Sequence, residues 1–85
     1  MSKDPYIIAK ENNIIIVVEP LAKIGGYYNK VMNQKFIHIN DELPEHFQEH
    51  IIAFLLCGAL NKPDEMLFLT RDQVQKEMSK QWLAE

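Results

Sequence analysis

Apolar and polar positions alternate along this chain in a way that marks out helical and extended stretches. From Ile14 to Val18 five apolar, mostly β-branched residues run without interruption, and such a run predicts a strand buried on both faces. Pro20 closes it, since proline has no amide to give to a ladder. Upstream, Asp4 before Pro5 is a helix start, because the carboxylate caps free amides and proline in the first turn loses no needed donor. A short helix to about Asn12 follows. Gly25 and Gly26 permit a tight bend or a close backbone approach. Beyond them, Tyr27 to Val31 and Lys35 to Asn40 read as an antiparallel hairpin joined around Met32, Asn33 and Gln34. In the second of these strands Phe36 and His38 share one face while Ile37 and Ile39 share the other, and the two isoleucines are expected in the core.

A longer helix is predicted from about Pro44 to Leu60. Projected at helical spacing, Phe47, Ile51 and Phe54 form one stripe and His46, His50, Ala53 and Cys57 another, while the second half is apolar on nearly every side. That half is therefore expected at the centre of the core. Asn61 to Asp64 breaks the helix, and Thr70 with Gln73 three residues on makes a capping box for a last helix from about residue 71. Val74, Met78 and Trp82 at four-residue spacing give this helix an apolar face. The expectation is a small α+β domain over residues 1–85: a short N-terminal helix, a small three-stranded, mostly antiparallel sheet, a buried central helix and a C-terminal helix.

Composition narrows the function classes. Eighty-five residues with 47% hydrophobic and 25% charged content fit one small globular domain rather than a disordered or fibrous chain. The lone Cys57 cannot form an internal disulfide, and residues 1–15 lack the pattern of a secretory signal, so a cytoplasmic location is expected. The apolar run from Ile51 to Leu60 is about ten residues, against the roughly twenty a spanning helix needs, so no membrane anchor is expected. A net charge of −3 with scattered lysines argues against direct nucleic-acid binding.

The stretch from Gln48 to Leu69, QEHIIAFLLCGALNKPDEMLFL, resembles the active-site helix of the ImmA/IrrE-like zinc metallopeptidases, whose corresponding run reads roughly QRFVIAHELGHALLHPDENLFL. The motifs GYYNK, KFIHIN, LPE and ALxxPDE come in the family's order and near its spacing, so the resemblance covers most of the chain. It implies a truncated zincin-like core. It also exposes a departure: Phe54, Leu55, Leu56, Cys57 and Gly58 stand where the family has His-Glu-x-x-His. Two histidines one helical turn apart bind zinc and the glutamate activates the metal-bound water, and neither phenylalanine, leucine nor glycine can replace them. Of the family's ligands only a match to the third remains, at Glu77. One carboxylate does not hold zinc, and on its own residues Glu77 reads as a solvated helix position near Lys80.

A second pattern arises independently of that resemblance. His46, Glu49 and His50 fit the inverted zincin arrangement H-x-x-E-H, which places two imidazoles and a carboxylate on one helical face. Against it, the match is three residues specific and lies in the solvent-exposed early turns of the helix, where histidines are ordinary surface residues. Cys57 is expected to be a small buried hydrophobe, and His38 either pairs with a neighbour or faces solvent. No cofactor is expected.

The resemblance with its ligands missing implies a catalytically inactive member acting by protein–protein binding: a phage or prophage regulator, antirepressor or inhibitor, that docks a helix-turn-helix repressor or an active peptidase. Tyr27, Tyr28 and Trp82 are the candidate contact residues, since Tyr and Trp dominate interface hot spots, with ordinary core or hairpin packing as the alternative for each. The competing expectation is a divergent zinc metallopeptidase using His46, Glu49 and His50. A third is a truncated gene product or an oligomerising module.

Overall fold

A computed structural model describes residues 4–76 of the chain. In chain order it contains α1 (Pro5–Glu11), β1 (Ile14–Glu19), β2 (Ile24–Val31), β3 (Gln34–Asn40), α2 (Glu45–Asn61) and β4 (Leu67–Thr70), followed by helical residues 71–76. The predicted positions of Glu77, Met78 and Trp82 lie outside the described residues.

The local signals act as their chemistry requires. Asp4 accepts a hydrogen bond from the Tyr6 amide at 2.8 Å and so caps α1. Met32 and Asn33 both adopt positive φ, 49° and 71°, the backbone of the two-residue turn that matches strand twist, and β2 and β3 pair antiparallel across it. Thr70 and Gln73 form the reciprocal capping box: the Thr70 amide donates to Gln73 Oε1 at 2.8 Å and the Gln73 amide to Thr70 Oγ1 at 3.1 Å.

The sheet has the order β1-β3-β2-β4, with β1 parallel to β3 and the other two pairs antiparallel. It has four strands where three were expected. The extra strand is Leu67–Thr70, too short to carry a period of its own; pairing with β2, Leu67 beside Tyr28 and Leu69 beside Gly26, makes it a strand. The second difference concerns β1. Its apolar run predicts burial on both faces, yet β1 lies at the edge of the sheet, and Ile15 and Val18 are 46% and 47% exposed. An uninterrupted β-branched run is compatible with an edge as well as with a centre.

α2 crosses one face of the sheet. Ile51, Ile52, Leu55, Leu56 and Ala59 are buried against a core that includes Tyr28, Ile37 and Ile39. Both isoleucines of β3 are thus core residues, as the alternation predicts. Each such side chain contributes about 1.5–3 kcal/mol on burial, an upper figure for a compact unfolded chain. Gly26 lets α2 approach: a Cβ there would sit 2.9 Å from the His38 carbonyl oxygen and 3.1 Å from Ile51 Cγ2. The helix is nonetheless not apolar-buried all round, because Ala53, Phe54, Cys57 and Leu60 are exposed. One sheet face can cover only one side of a helix, and no second described layer lies over α2.

Buried polar groups hold the connections, Gln48 Nε2 among them donating to the Leu43 carbonyl at 2.7 Å. Asn40 donates from Nδ2 to the carbonyls of Ala22 and Ile24, at 3.2 and 3.0 Å, and accepts the Glu42 amide at 3.0 Å, tying the β1–β2 loop to the start of the α2 approach. Tyr28 is fully buried and donates its phenol to the Pro63 carbonyl at 2.6 Å, fixing the α2–β4 connection. Burial pushes the Tyr28 phenol above its ordinary value, with Asp64 adding and Lys30 opposing.

The folded state holds the Tyr28 proton more tightly than the unfolded chain. Its contribution is therefore present below a phenol's ordinary pKa of about 10 and is lost as pH rises through the folded value. Tyr28→Phe should cost about 1 kcal/mol at neutral pH through the lost hydrogen bond and flatten the alkaline loss of stability. Urea melts of both proteins across the alkaline range check this; parallel losses would contradict it.

Candidate functional site

The helix positions singled out by the resemblance can be placed one by one. Phe54 is 55% exposed, Leu55 is fully buried and Leu56 nearly so, and Cys57 is exposed. Gly58 lies one turn from Phe54 and packs where any side chain would run into Leu67 Cδ1. These residues do not fit a zinc ion: no donor atom stands at 54, 55 or 58, and Leu67 fills the space that a ligand at 58 would use. Leu55 and Leu56 fill the core side of this turn, while Phe54, in the half of the helix expected at the centre of the core, faces outward.

His46, Glu49 and His50 are all exposed on the first turns of α2. The His46 ring lies edge-on to Phe47, with centroids 4.4 Å apart. Among the described residues no three of His, Cys, Asp and Glu come together in a way that could hold a metal ion. Nearby, Tyr6 on α1 is raised above its ordinary pKa by partial burial and then by the negative charges of Glu49, Asp4 and Glu45. The cluster is an acidic helix start packed beside α1.

Of the candidate contact residues, Tyr28 is corrected: with no exposed surface and its hydroxyl committed to Pro63, it is a core residue that no partner can reach. Tyr27 lies on the opposite side of the sheet and is only half-buried. Trp82 falls outside the described residues.

That opposite face is the most unusual surface of the domain. Strand register places Ile15, Val17 and Glu19 of β1, Phe36 and His38 of β3, Tyr27 and Asn29 of β2, and Phe68 of β4 on it together. At its centre the His38 ring stacks on Tyr27, with centroids 4.3 Å apart and planes 11° from parallel, and meets Phe36 at 6.0 Å. The His38 Nδ1–H donates to Glu19 Oε1 at 3.1 Å, since a carboxylate can only accept. The uncovered side of an antiparallel-rich sheet is normally polar. Here it is aromatic and aliphatic, with Phe68 48% and Ile15 46% exposed at its two sides. Asn29, cross-strand from Phe36, keeps Oδ1 buried without a hydrogen bond, at about 1–3 kcal/mol for such a group.

Stacked rings bordered by apolar side chains suit flat contact with another surface. Sequence alternation places Phe36 and His38 together, but the undetected β4 hides Phe68, and nothing local pairs Glu19 with a histidine nineteen positions on. No described helix is long and apolar enough to cross a membrane. No family model, curated protein or solved structure matches this chain.

Cys57 also differs from expectation. It is exposed rather than buried, on the side of α2 turned from the sheet, with Asn61 Nδ2 donating to its carbonyl at 2.7 Å and lying 3.5 Å from Sγ. In native buffer Cys57 should react fully with a soluble thiol reagent, within about tenfold of the rate in denaturant. Protection lifted only by unfolding would contradict this placement.

Proposed function

We propose that this domain is a non-hydrolytic protein-binding module that keeps the frame of an ImmA/IrrE-like peptidase without its chemistry. In this reading it acts as a phage or prophage regulator that docks a helix-turn-helix repressor. The observation that carries the binding reading is the apolar face of Ile15, Val17, Tyr27, Phe36 and Phe68, which leaves large side chains open to water on the sheet side opposite α2. A surface selected only for stability would hold polar residues there and would not retain the unsatisfied Asn29. The absence of donors at Phe54, Leu55 and Gly58 supports the non-hydrolytic half of the reading.

Repressors of this kind present amphipathic helices, and an aromatic sheet face takes such a helix by its apolar side. The chain's net charge of −3 favours a basic partner over an acidic one.

Affinity purification of the tagged chain from its native host, with proteins identified by mass spectrometry, tests this. Recovery of a helix-turn-helix protein by the wild type, reduced at least about tenfold by Phe68→Lys as for an interface hot spot, is the expected result. Equal recovery by the variant contradicts use of this face. Stoichiometric zinc in the purified protein, lost in a His46→Ala, His50→Ala double variant, overturns the non-hydrolytic reading.

A further inference from the structure

The two edges of the sheet are built differently. The β4 edge is only Leu67–Thr70, pairs with β2 through an irregularity between Ile24 and Gly26, and runs directly into Arg71. Shortness, a bulge and an adjoining charge are devices that stop an edge recruiting another strand. β1 has none of them over Ile14–Val18. Among the described residues it pairs only with β3, it carries no charge before Glu19, and Ile15 and Val18 are about half exposed on opposite faces. An uncharged, β-branched edge with free backbone groups is a template for one more strand.

We propose that β1 pairs antiparallel with β1 of a second copy of this chain, joining two four-stranded sheets into one of eight across a two-fold axis. The charges at the two ends of β1 select both the partner and the direction. Its C-terminal end is acidic: Glu19 is there, and Asp41 adjoins it, its amide donating to the Glu19 carbonyl at 3.0 Å. Its N-terminal end is the more basic: Lys35 is the cross-strand neighbour of Ile14 and Lys10 lies in the last turn of α1, against one acidic residue, Glu11. Antiparallel pairing lays each acidic end along the other copy's basic end, whereas parallel pairing sets like against like.

The pleat then restricts the register, and the proposal places Ile16 on the axis. A two-fold axis normal to the sheet keeps each face on its own side, so opposed residues must belong to the same face. With Ile16 on the axis, Ile15 opposes Val17 on the open face and Ile14 opposes Val18 on the helix-covered face. Both half-exposed residues of β1 gain an apolar neighbour, and the two open faces merge. The pairing uses the edge of the sheet and does not rest on the partner face proposed above.

Light scattering across a dilution series reads the outcome. The wild type should reach twice its 9.9 kDa chain mass and fall toward the single mass on dilution. Ile15→Lys combined with Val18→Lys should stay at the single mass with unchanged circular dichroism, while Phe68→Lys, at the far side of the open face, should still dimerise. A wild type that is monomeric at every concentration overturns the proposal, as does a dimer that survives the double variant or is lost with Phe68→Lys. Should the double variant unfold, oxidation in a Cys57→Ser background decides. Ile16→Cys should join two copies covalently and Val18→Cys should not; no product with Ile16→Cys, or equal product with both, overturns antiparallel pairing.

Discussion

The contact between α2 and one face of the sheet is the constraint from which the rest of this domain follows. Ile51, Ile52, Leu55, Leu56 and Ala59 meet Tyr28, Ile37 and Ile39 there, and among the described residues no second core of comparable extent shares the load. Because one helix covers one face, the described layers leave two apolar surfaces turned outward: the side of α2 that carries Ala53, Phe54, Cys57 and Leu60, and the sheet face around the Tyr27–His38 stack. The same contact requires Gly26 beneath Ile51 and anchors the loop that Tyr28 holds through Pro63.

Elements whose signals are local were legible in the sequence. Asp4-Pro5 opens α1, Thr70 and Gln73 cap one another, and period-two alternation puts Ile37 and Ile39 in the core, because each depends on residues within a few positions. What depends on neighbours distant in sequence was not legible. The run Ile14–Val18 reads as a central strand, but its position at the edge is decided by which strands pair with β3. Leu67–Thr70 is a strand because β2 lies beside it. Likewise the second half of α2 is apolar all round in sequence, and only the layer count shows which side stays uncovered.

The candidate site divides along the same line. Loss of ligand chemistry at Phe54, Leu55 and Gly58 is plain from the residues alone, and Leu67 against Gly58 adds a steric reason. The aromatic face could be found only by register, since Glu19, Tyr27, His38 and Phe68 come from all four strands. A single helix–sheet contact on one face with aromatic side chains displayed on the other is the arrangement on which the proposed binding function rests.

Oxidative footprinting of the native protein, with modification located residue by residue by mass spectrometry, tests this one-sided packing most directly. Phe68 and Phe54 should be modified rapidly while Tyr28, the same kind of ring on the covered side, is protected until the protein unfolds. Phe68 as protected as Tyr28, at concentrations where the protein is a single chain, would show that both sheet faces are covered and would contradict the account.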